Sequence, residues 1–166
     1  MIKKLALIIG FIICLSSCGK DYVYRIEGEL SNLEDQTVYA VFEKDNYKVV
    51  DTVACTKPGQ FQIDQNEAGF HCVTIFFADK EHWVTAYLEP GETVKITGDA
   101  NSPLLLQVKG GRTNDKLTAF KKKIAPLLTE LTNLSNSLNS KDLNDTIEET
   151  DIAARLANVN MQLSEE

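Results

Sequence analysis

Residues 24–30 read Tyr24-Arg25-Ile26-Glu27-Gly28-Glu29-Leu30, so apolar or small residues alternate with charged ones. A period of two residues is typical of a β-strand that buries one face and leaves the other in water. The segment runs into a cluster of turn-forming residues at 31–35. We therefore predict a strand whose even-numbered side chains enter a hydrophobic core.

The same kind of pattern recurs through the first two thirds of the chain. Pro58-Gly59 and Pro90-Gly91 fit tight turns, and the connection lengths suit hairpins and a meander. Short strands without intervening helices indicate an antiparallel sandwich or a partly open barrel. We expect a mainly β fold, an antiparallel β-sandwich of about seven or eight strands over residues 22–110. Further strands are predicted at residues 37–43, 47–55, 61–64, 70–78, 82–88, 93–98 and 104–108.

After the sandwich the apolar residues change to a helical period. Pro126 is expected to kink or split the first helix, and Thr113 or Asn114 to cap its start. A polar break before the second stripe predicts an amphipathic helical hairpin over residues 111–166. The stripes must pack on each other, on the sandwich or on a protein partner. The first stripe contains Leu117, Phe120, Ile124, Leu127, Leu131, Leu134 and Leu138, and the second contains Ile152, Leu156, Val159 and Leu163.

The N-terminal segment has the features of a secretory signal. A basic start precedes an apolar run that fits a signal peptide and is too short to cross a membrane. Leu15-Ser16-Ser17-Cys18 resembles the lipobox of bacterial lipoproteins, which implies removal of residues 1–17 and lipidation of Cys18. Residues 18–21 then form a lipidated tether. The alternative is an ordinary signal peptide that is cut elsewhere.

We expect the protein in the cell envelope, attached to a membrane by the lipid on Cys18. The residue after this cysteine is not aspartate, the inner-membrane retention signal of some bacteria, so we expect the outer membrane. The sequence leaves open whether the domain faces the periplasm or the exterior.

The charge of the chain excludes some partners. The sequence has 17 basic and 24 acidic residues, a net charge of −7. Loss of Lys3 and Lys4 with the signal leaves 15 basic residues against 24 acidic ones, a net charge of −9. An acidic surface repels nucleic acid and anionic lipid. We therefore expect no nucleic-acid partner, and membrane attachment through the lipid.

Cys55 and Cys72 remain in an oxidising compartment, where a disulfide is allowed. The strand pattern places Cys55 on the face of Val53, which is expected to be core. Cys72 falls on the face opposite to Val73 and Ile75. This parity favours two unpaired cysteines, while a Cys55–Cys72 bond stays open. No Cys-x-x-Cys occurs in the sequence, so the chain has no dithiol redox centre of its own.

Trp83 and Tyr87 are the candidate ligand-binding residues. They share one face of a predicted strand, where they could stack on a sugar or a peptide. Packing in the core is the alternative, because aromatic residues favour strands in any case. Asp79, Glu81 and His82 meet at a turn, but a metal site needs three or four convergent ligands, so we predict no metal. No nucleophile–base pair or cofactor motif is found, so we assign no catalytic residue and no cofactor.

Short motifs of turn glycines and core residues cover about residues 22–120. They include Tyr24-x-Ile26-x-Gly28-x-Leu30, Gly59-x-Phe61-x-Ile63, Leu88-x-Pro90-Gly91-x-x-Val94 and Val108-x-Gly110-Gly111-x-x-Asn114. Their order resembles a domain of unknown function at the N-terminus of periplasmic lipoproteins. In that family a thioredoxin-like domain of the thiol-disulfide interchange or peroxiredoxin type follows. That domain and its Trp-Cys-x-x-Cys motif are absent from this sequence, so the resemblance implies no redox residue here.

Two functions follow from these observations. The first is a non-catalytic binding or assembly module on a lipid anchor, with a helical hairpin that offers apolar surface to a protein partner. The second is the N-terminal part of, or an accessory to, a thioredoxin-like thiol-disulfide oxidoreductase whose catalytic domain is missing from this chain. The lack of a catalytic motif favours the first function, and the family resemblance favours the second.

Overall fold

The structure, a computed structural model, describes residues 22–34, 37–77, 80–139 and 146–165. The predicted signal peptide, the lipidation residue Cys18 and the tether lie outside the described residues. The described part contains eight strands: β1 (Tyr24–Ser31), β2 (Thr37–Lys44), β3 (Tyr47–Ala54), β4 (Gln60–Gln65), β5 (Cys72–Phe76), β6 (Trp83–Tyr87), β7 (Thr93–Asp99) and β8 (Gln107–Lys109). Three helices follow: α1 (Arg112–Lys123), α2 (Ala125–Asn139) and α3 (Thr146–Glu165). The predicted mainly β fold with a C-terminal helical part is confirmed.

The strands form two four-stranded sheets. The first sheet has the order β4-β1-β7-β8, and the second has the order β3-β2-β5-β6. Among the described strands every pairing is antiparallel except that of β1 with β7, which is parallel. The first sheet is therefore mixed, which corrects the expectation of a purely antiparallel arrangement.

Both Pro-Gly turns carry the chain from the second sheet to the first instead of closing hairpins. The turn with Gly59 joins β3 to β4, and the turn with Gly91 joins β6 to β7. Each turn is hydrogen-bonded to one end of β1. Leu30 N–H donates to Gly59 O (2.9 Å), and Gly91 N–H donates to Val23 O (2.8 Å). Because β7 enters the first sheet where β1 begins, these two strands run in the same direction.

The alternation in β1 supplies part of the core between the sheets. Tyr24, Ile26 and Leu30 are buried, as the period of two predicts. Gly28 stands opposite Phe61 of β4, and a Cβ atom at Gly28 would lie 2.2 Å from the Phe61 ring. A side chain at position 28 would therefore displace this ring, which explains a glycine inside a strand. Other large, fully buried side chains of the core are Phe42, Phe70, Ile75 and Ile96.

Helices α2 and α3 form the predicted hairpin. Their shared core contains Leu134, Ile152 and Val159, flanked by Leu127, Leu131, Leu138, Leu156 and Leu163. Pro126 occupies the first turn of α2, where proline is tolerated, so the split expected at this residue is confirmed. None of the described helices is long and apolar enough to cross a membrane. A chain that begins at Tyr22 retains every residue of this cluster and of the sandwich core.

Helix α1 does not follow the predicted stripe. Leu117 and Phe120 are 42% and 40% exposed, whereas Asn114 and Thr118 are buried. The apolar period runs on from α1 into α2, but the helix axis breaks at Ile124 and the packing partner changes there. In α2 the stripe meets α3, and in α1 it faces solvent. The prediction of one continuous buried stripe is therefore wrong for α1.

Asn114 and Thr118 bind the backbone of two edge strands. The Asn114 side chain accepts from Tyr87 N–H (2.8 Å) and donates to Tyr87 O (2.7 Å) on β6. Thr118 Oγ1 accepts from Val108 N–H (3.1 Å) and donates to Val108 O (2.5 Å) on β8. Since β6 and β8 are edges of different sheets, α1 closes the side of the sandwich where both edges lie. Asn114 is therefore not a helix cap, and Gly111 occupies that position.

Candidate functional site

The outer face of the first sheet is charged. Arg25 donates two hydrogen bonds to the Asp64 carboxylate (2.6 and 2.7 Å), and Lys95 Nζ lies 3.7 Å from Glu27 Oε2. The hydrogen bond from the Arg25 guanidinium lowers the pKa of Asp64. Exposed ion pairs of this kind contribute little to stability. This face is typical of a sheet side that remains in water.

The outer face of the second sheet is aromatic. The strand register places Tyr39 of β2 opposite Phe76 of β5, and Phe76 opposite Trp83 of β6. The ring centroids of Phe76 and Trp83 lie 6.1 Å apart with the rings tilted by 40°. Trp83 is 52% exposed, and Tyr87 on the same side of β6 is 41% exposed. We call Tyr39, Val50, Phe76, Trp83 and Tyr87 the aromatic face. The exposed apolar side chains make this face the candidate interaction surface of the described residues.

Trp83 and Tyr87 share one exposed face of β6, as the alternation predicts. Their exposure shows that they do not pack in the core. That they contact a ligand stays a prediction. Sequence reasoning missed Tyr39, Val50 and Phe76 as members of the same surface. Strand alternation could have placed them there, but their inward-facing neighbours are apolar too, so both sides of these strands suggest a core.

A shallow apolar cleft of about 330 Å³ lies within the aromatic face. It is lined by Tyr39, Val50, Phe76 and Lys80, and we call it the Tyr39 cleft. Lys80 Nζ lies 5.2 Å from the centroid of the Tyr39 ring, within the range of a cation–π contact. Lys80 has a left-handed backbone conformation (φ 58°), and its N–H donates to Phe77 O (2.9 Å). This turn holds an ammonium group beside an apolar surface.

A polar cluster adjoins Tyr87 at the other end of the aromatic face. Cys72 stands between Tyr87 and Glu43 in the strand register, and its Sγ donates to Glu43 Oε2 (3.3 Å). Lys48 Nζ donates to Glu43 Oε1. Burial, followed by the bond to Glu43, raises the pKa of Cys72 to about 11. The thiol is therefore protonated at neutral pH and is a poor nucleophile.

Cys55 and Cys72 lie on opposite sides of the second sheet. Cys55 packs against the core, and Cys72 lies on the outer face. The predicted placement of these two residues on opposite faces is confirmed. Among the described residues, no group of three or more His, Cys, Asp and Glu side chains converges to hold a metal ion. His71 pairs with Asp45 at the surface (2.7 Å).

The sequence model of a family described as "Domain of unknown function (DUF4369)" matches residues 24–117. This range is more than half of the 166 residues. The chain belongs to the DUF4369 family. The DUF4369 match contains strands β1 to β8 and the first half of α1, so it includes both the aromatic face and Asn114. Neither the curated proteins nor the solved structures contain a match to the chain.

Proposed function

We propose that this DUF4369 protein is a non-catalytic binding or assembly module, anchored in the cell envelope by a lipid on Cys18. The observation that carries the proposal is the contrast between the two outer faces of the sandwich. One face is covered by ion pairs such as Arg25–Asp64, and the other exposes Trp83, Tyr87 and Val50. Exposed aromatic residues are enriched at the centres of binding surfaces and depleted where a surface meets only water. The binding role is therefore assigned to the aromatic face.

The anchor is supported by the lipobox-like Leu15-Ser16-Ser17-Cys18. Bacteria that express the protein and grow with an alkyne analogue of palmitate should yield a labelled chain. A Cys18→Ser variant should carry no label, while a Cys55→Ser/Cys72→Ser variant should be labelled as strongly as wild type. Density fractionation should place the labelled chain with the outer membrane. Label on the Cys18→Ser variant would contradict the proposal that Cys18 carries the lipid.

The binding role of the aromatic face is tested by site-specific photocrosslinking. Thr85 lies on the outer side of β6 between Trp83 and Tyr87, and Thr97 lies on the outer side of β7 in the charged face. A benzophenone amino acid at position 85 should give an adduct of discrete mass in cells. The same amino acid at position 97 is the matched control and should give none. Identical adducts from both positions, or none from either, would contradict the proposal.

The second candidate is a role beside a thioredoxin-like oxidoreductase, as its N-terminal part or its accessory. The exposed Leu117 and Phe120 on α1 favour it, because they leave apolar surface on the segment that leads into such a domain in the lipoproteins the sequence resembles. Any dithiol redox step would then depend on the other domain, since the sequence contains no Cys-x-x-Cys. The purified chain should reduce no insulin above the blank. Activity that survives the Cys55→Ser/Cys72→Ser substitution would require a catalytic group elsewhere in this chain.

A further inference from the structure

We propose that the Tyr39 cleft holds a hydrophobic side chain of a protein partner, and that Lys80 pairs with a carboxylate next to that side chain. The inference rests on the proposed binding role of the aromatic face and specifies its ligand. The partner segment is thus a hydrophobic residue adjacent to an aspartate, a glutamate or a C-terminal carboxylate.

The apolar part of the assignment follows from the lining of the cleft. Tyr39 and Phe76 stand side by side on paired strands, and both line the cleft. Val50 closes one side and is itself 63% exposed, so water now covers apolar surface there. The volume of about 330 Å³ is at the lower end of the range for ligand sites. Such a space suits one large side chain better than an extended ligand.

The charged part of the assignment follows from Lys80. Among the described residues that line the cleft, it is the one with a formal charge. Its Nζ is held over the Tyr39 ring, and none of the ion pairs between described residues includes it. An ammonium at the rim of an apolar cleft favours a ligand with a negative group beside its apolar part.

The open shape of the cleft favours a protein over other occupants. A small free ligand is usually buried over most of its surface, which a cleft on an open sheet face does not provide. A protein segment can anchor one side chain in the cleft and bury the exposed Trp83 next to it, as interface anchors do. A sugar would need several polar partners, and the described residues of the lining offer one ammonium and one phenol.

The test uses the chain from Tyr22 onward, which retains both hydrophobic clusters. The probes are two matched peptides, acetyl-Gly-Phe-Asp-Gly-amide and acetyl-Gly-Phe-Asn-Gly-amide. Trp83 is the one tryptophan of the sequence and lies against Phe76, so its fluorescence reports on the cleft. The aspartate peptide should bind about two- to fivefold more tightly than the asparagine peptide, the range of an exposed ion pair.

Lys80→Gln should abolish the preference for the aspartate peptide and leave the affinity for the asparagine peptide unchanged. The matched variant Lys95→Gln, on the other face, should retain the preference. Val50 is 63% exposed, so we expect Val50→Asp to leave the core intact. It should weaken binding of the aspartate peptide at least fivefold, and Thr97→Asp should not. Equal binding of both peptides to wild type, or a preference that survives Lys80→Gln, would overturn the assignment. A blue shift of Trp83 fluorescence with phosphatidylcholine–phosphatidylglycerol vesicles would assign the aromatic face to lipid instead. A dimer that Val50→Asp dissociates would assign it to a second copy of the chain. The outcome of the crosslinking test at Thr85 does not depend on any of these results. Failure of this inference can therefore be distinguished from failure of the proposed function.

Discussion

The side-chain amide of Asn114 makes both hydrogen bonds that a neighbouring strand would make to Tyr87. It accepts from Tyr87 N–H at 2.8 Å and donates to Tyr87 O at 2.7 Å, and a third bond reaches Gly110 O at 2.6 Å. Asn114 is 2% exposed. A helix thus ends the second sheet by means of one side chain. Exposed sheet edges otherwise invite pairing with other chains.

The first prediction concerns Thr118, which ends the first sheet in the same way. Thr118→Val keeps the shape of the side chain but leaves Val108 N–H and O without partners in a buried setting. Unfolding free energy should fall by about 2–3 kcal/mol, the cost of leaving buried polar groups unsatisfied. Thr132→Val is the matched control, because the Thr132 hydroxyl donates only to Leu128 O within α2. Urea denaturation should show a change of less than about 0.5 kcal/mol for the control. Equal losses from both variants would mean that the Thr118 bonds contribute nothing specific.

The second prediction compares the two turn glycines that cross between the sheets. Gly91 has φ +81° and open space around an added Cβ, so Gly91→Ala should cost about 1–2 kcal/mol for the left-handed backbone alone. Gly59 has φ +76°, and its added Cβ would lie 2.0 Å from Leu30 O. Gly59→Ala should therefore cost about 3 kcal/mol or more, because β1 must move as well. Denaturant titration of both variants measures the two losses in unfolding free energy. A smaller loss for Gly59→Ala than for Gly91→Ala would show that the contact with β1 is not tight.

The third prediction concerns the thiol of Cys72 in a Cys55→Ser chain that begins at Tyr22. With a pKa of about 11 in place of the ordinary 9.0, the thiolate fraction at pH 8 falls by about 100-fold. Alkylation of the folded chain by iodoacetamide should be about 100-fold slower than that of the unfolded chain at pH 8, and its rate should rise about tenfold per pH unit up to about pH 10. Glu43→Gln removes the carboxylate that disfavours the thiolate, so its alkylation should be faster. A rate for the folded Cys55→Ser chain equal to that of the unfolded chain would contradict the burial of this thiol.

The fourth prediction separates the two halves of the apolar stripe. Leu134 is 4% exposed between α2 and α3, so Leu134→Ala should destabilise the helical hairpin by about 2–4 kcal/mol. Leu117 belongs to the same sequence pattern but lies on the solvent side of α1, so Leu117→Ala should change stability by less than about 0.5 kcal/mol. Circular dichroism at 222 nm follows the helices, and Trp83 fluorescence follows the sandwich. A loss of stability from Leu117→Ala comparable to that from Leu134→Ala would mean that the stripe is also buried in α1.

The order of strands and helices could be predicted from local pattern, because alternation and helical period are local properties. The pairing of β1 with β7 could not, since it depends on which sheet the chain enters after Gly91. A Pro-Gly turn fixes the backbone angles of the turn and not the partner of the next strand. The bond from Gly91 to Val23, which decides this direction, joins residues that are distant in sequence.

Only part of the candidate site could be predicted from the sequence. Trp83 and Tyr87 alternate with Val84 and Ala86, so their common face was evident. Whether that face was buried was not evident, because exposure depends on the absence of a covering layer. The role of Asn114 was also hidden. An asparagine near the start of a helix suggests a cap, and only the position of β6 shows that its amide is used elsewhere.

The path of α1 determines at which end of the sandwich the hairpin of α2 and α3 lies. Arg112 N–H bonds to Glu89 Oε1 next to the turn that holds Val23, and α1 then runs back past Val108 along the sandwich. The hairpin of α2 and α3 thus departs from the end opposite to Val23. A strand of eight residues spans about 26 Å. Under the proposed attachment at Cys18, the length of the sandwich would separate the hairpin from the point where the tether enters the fold.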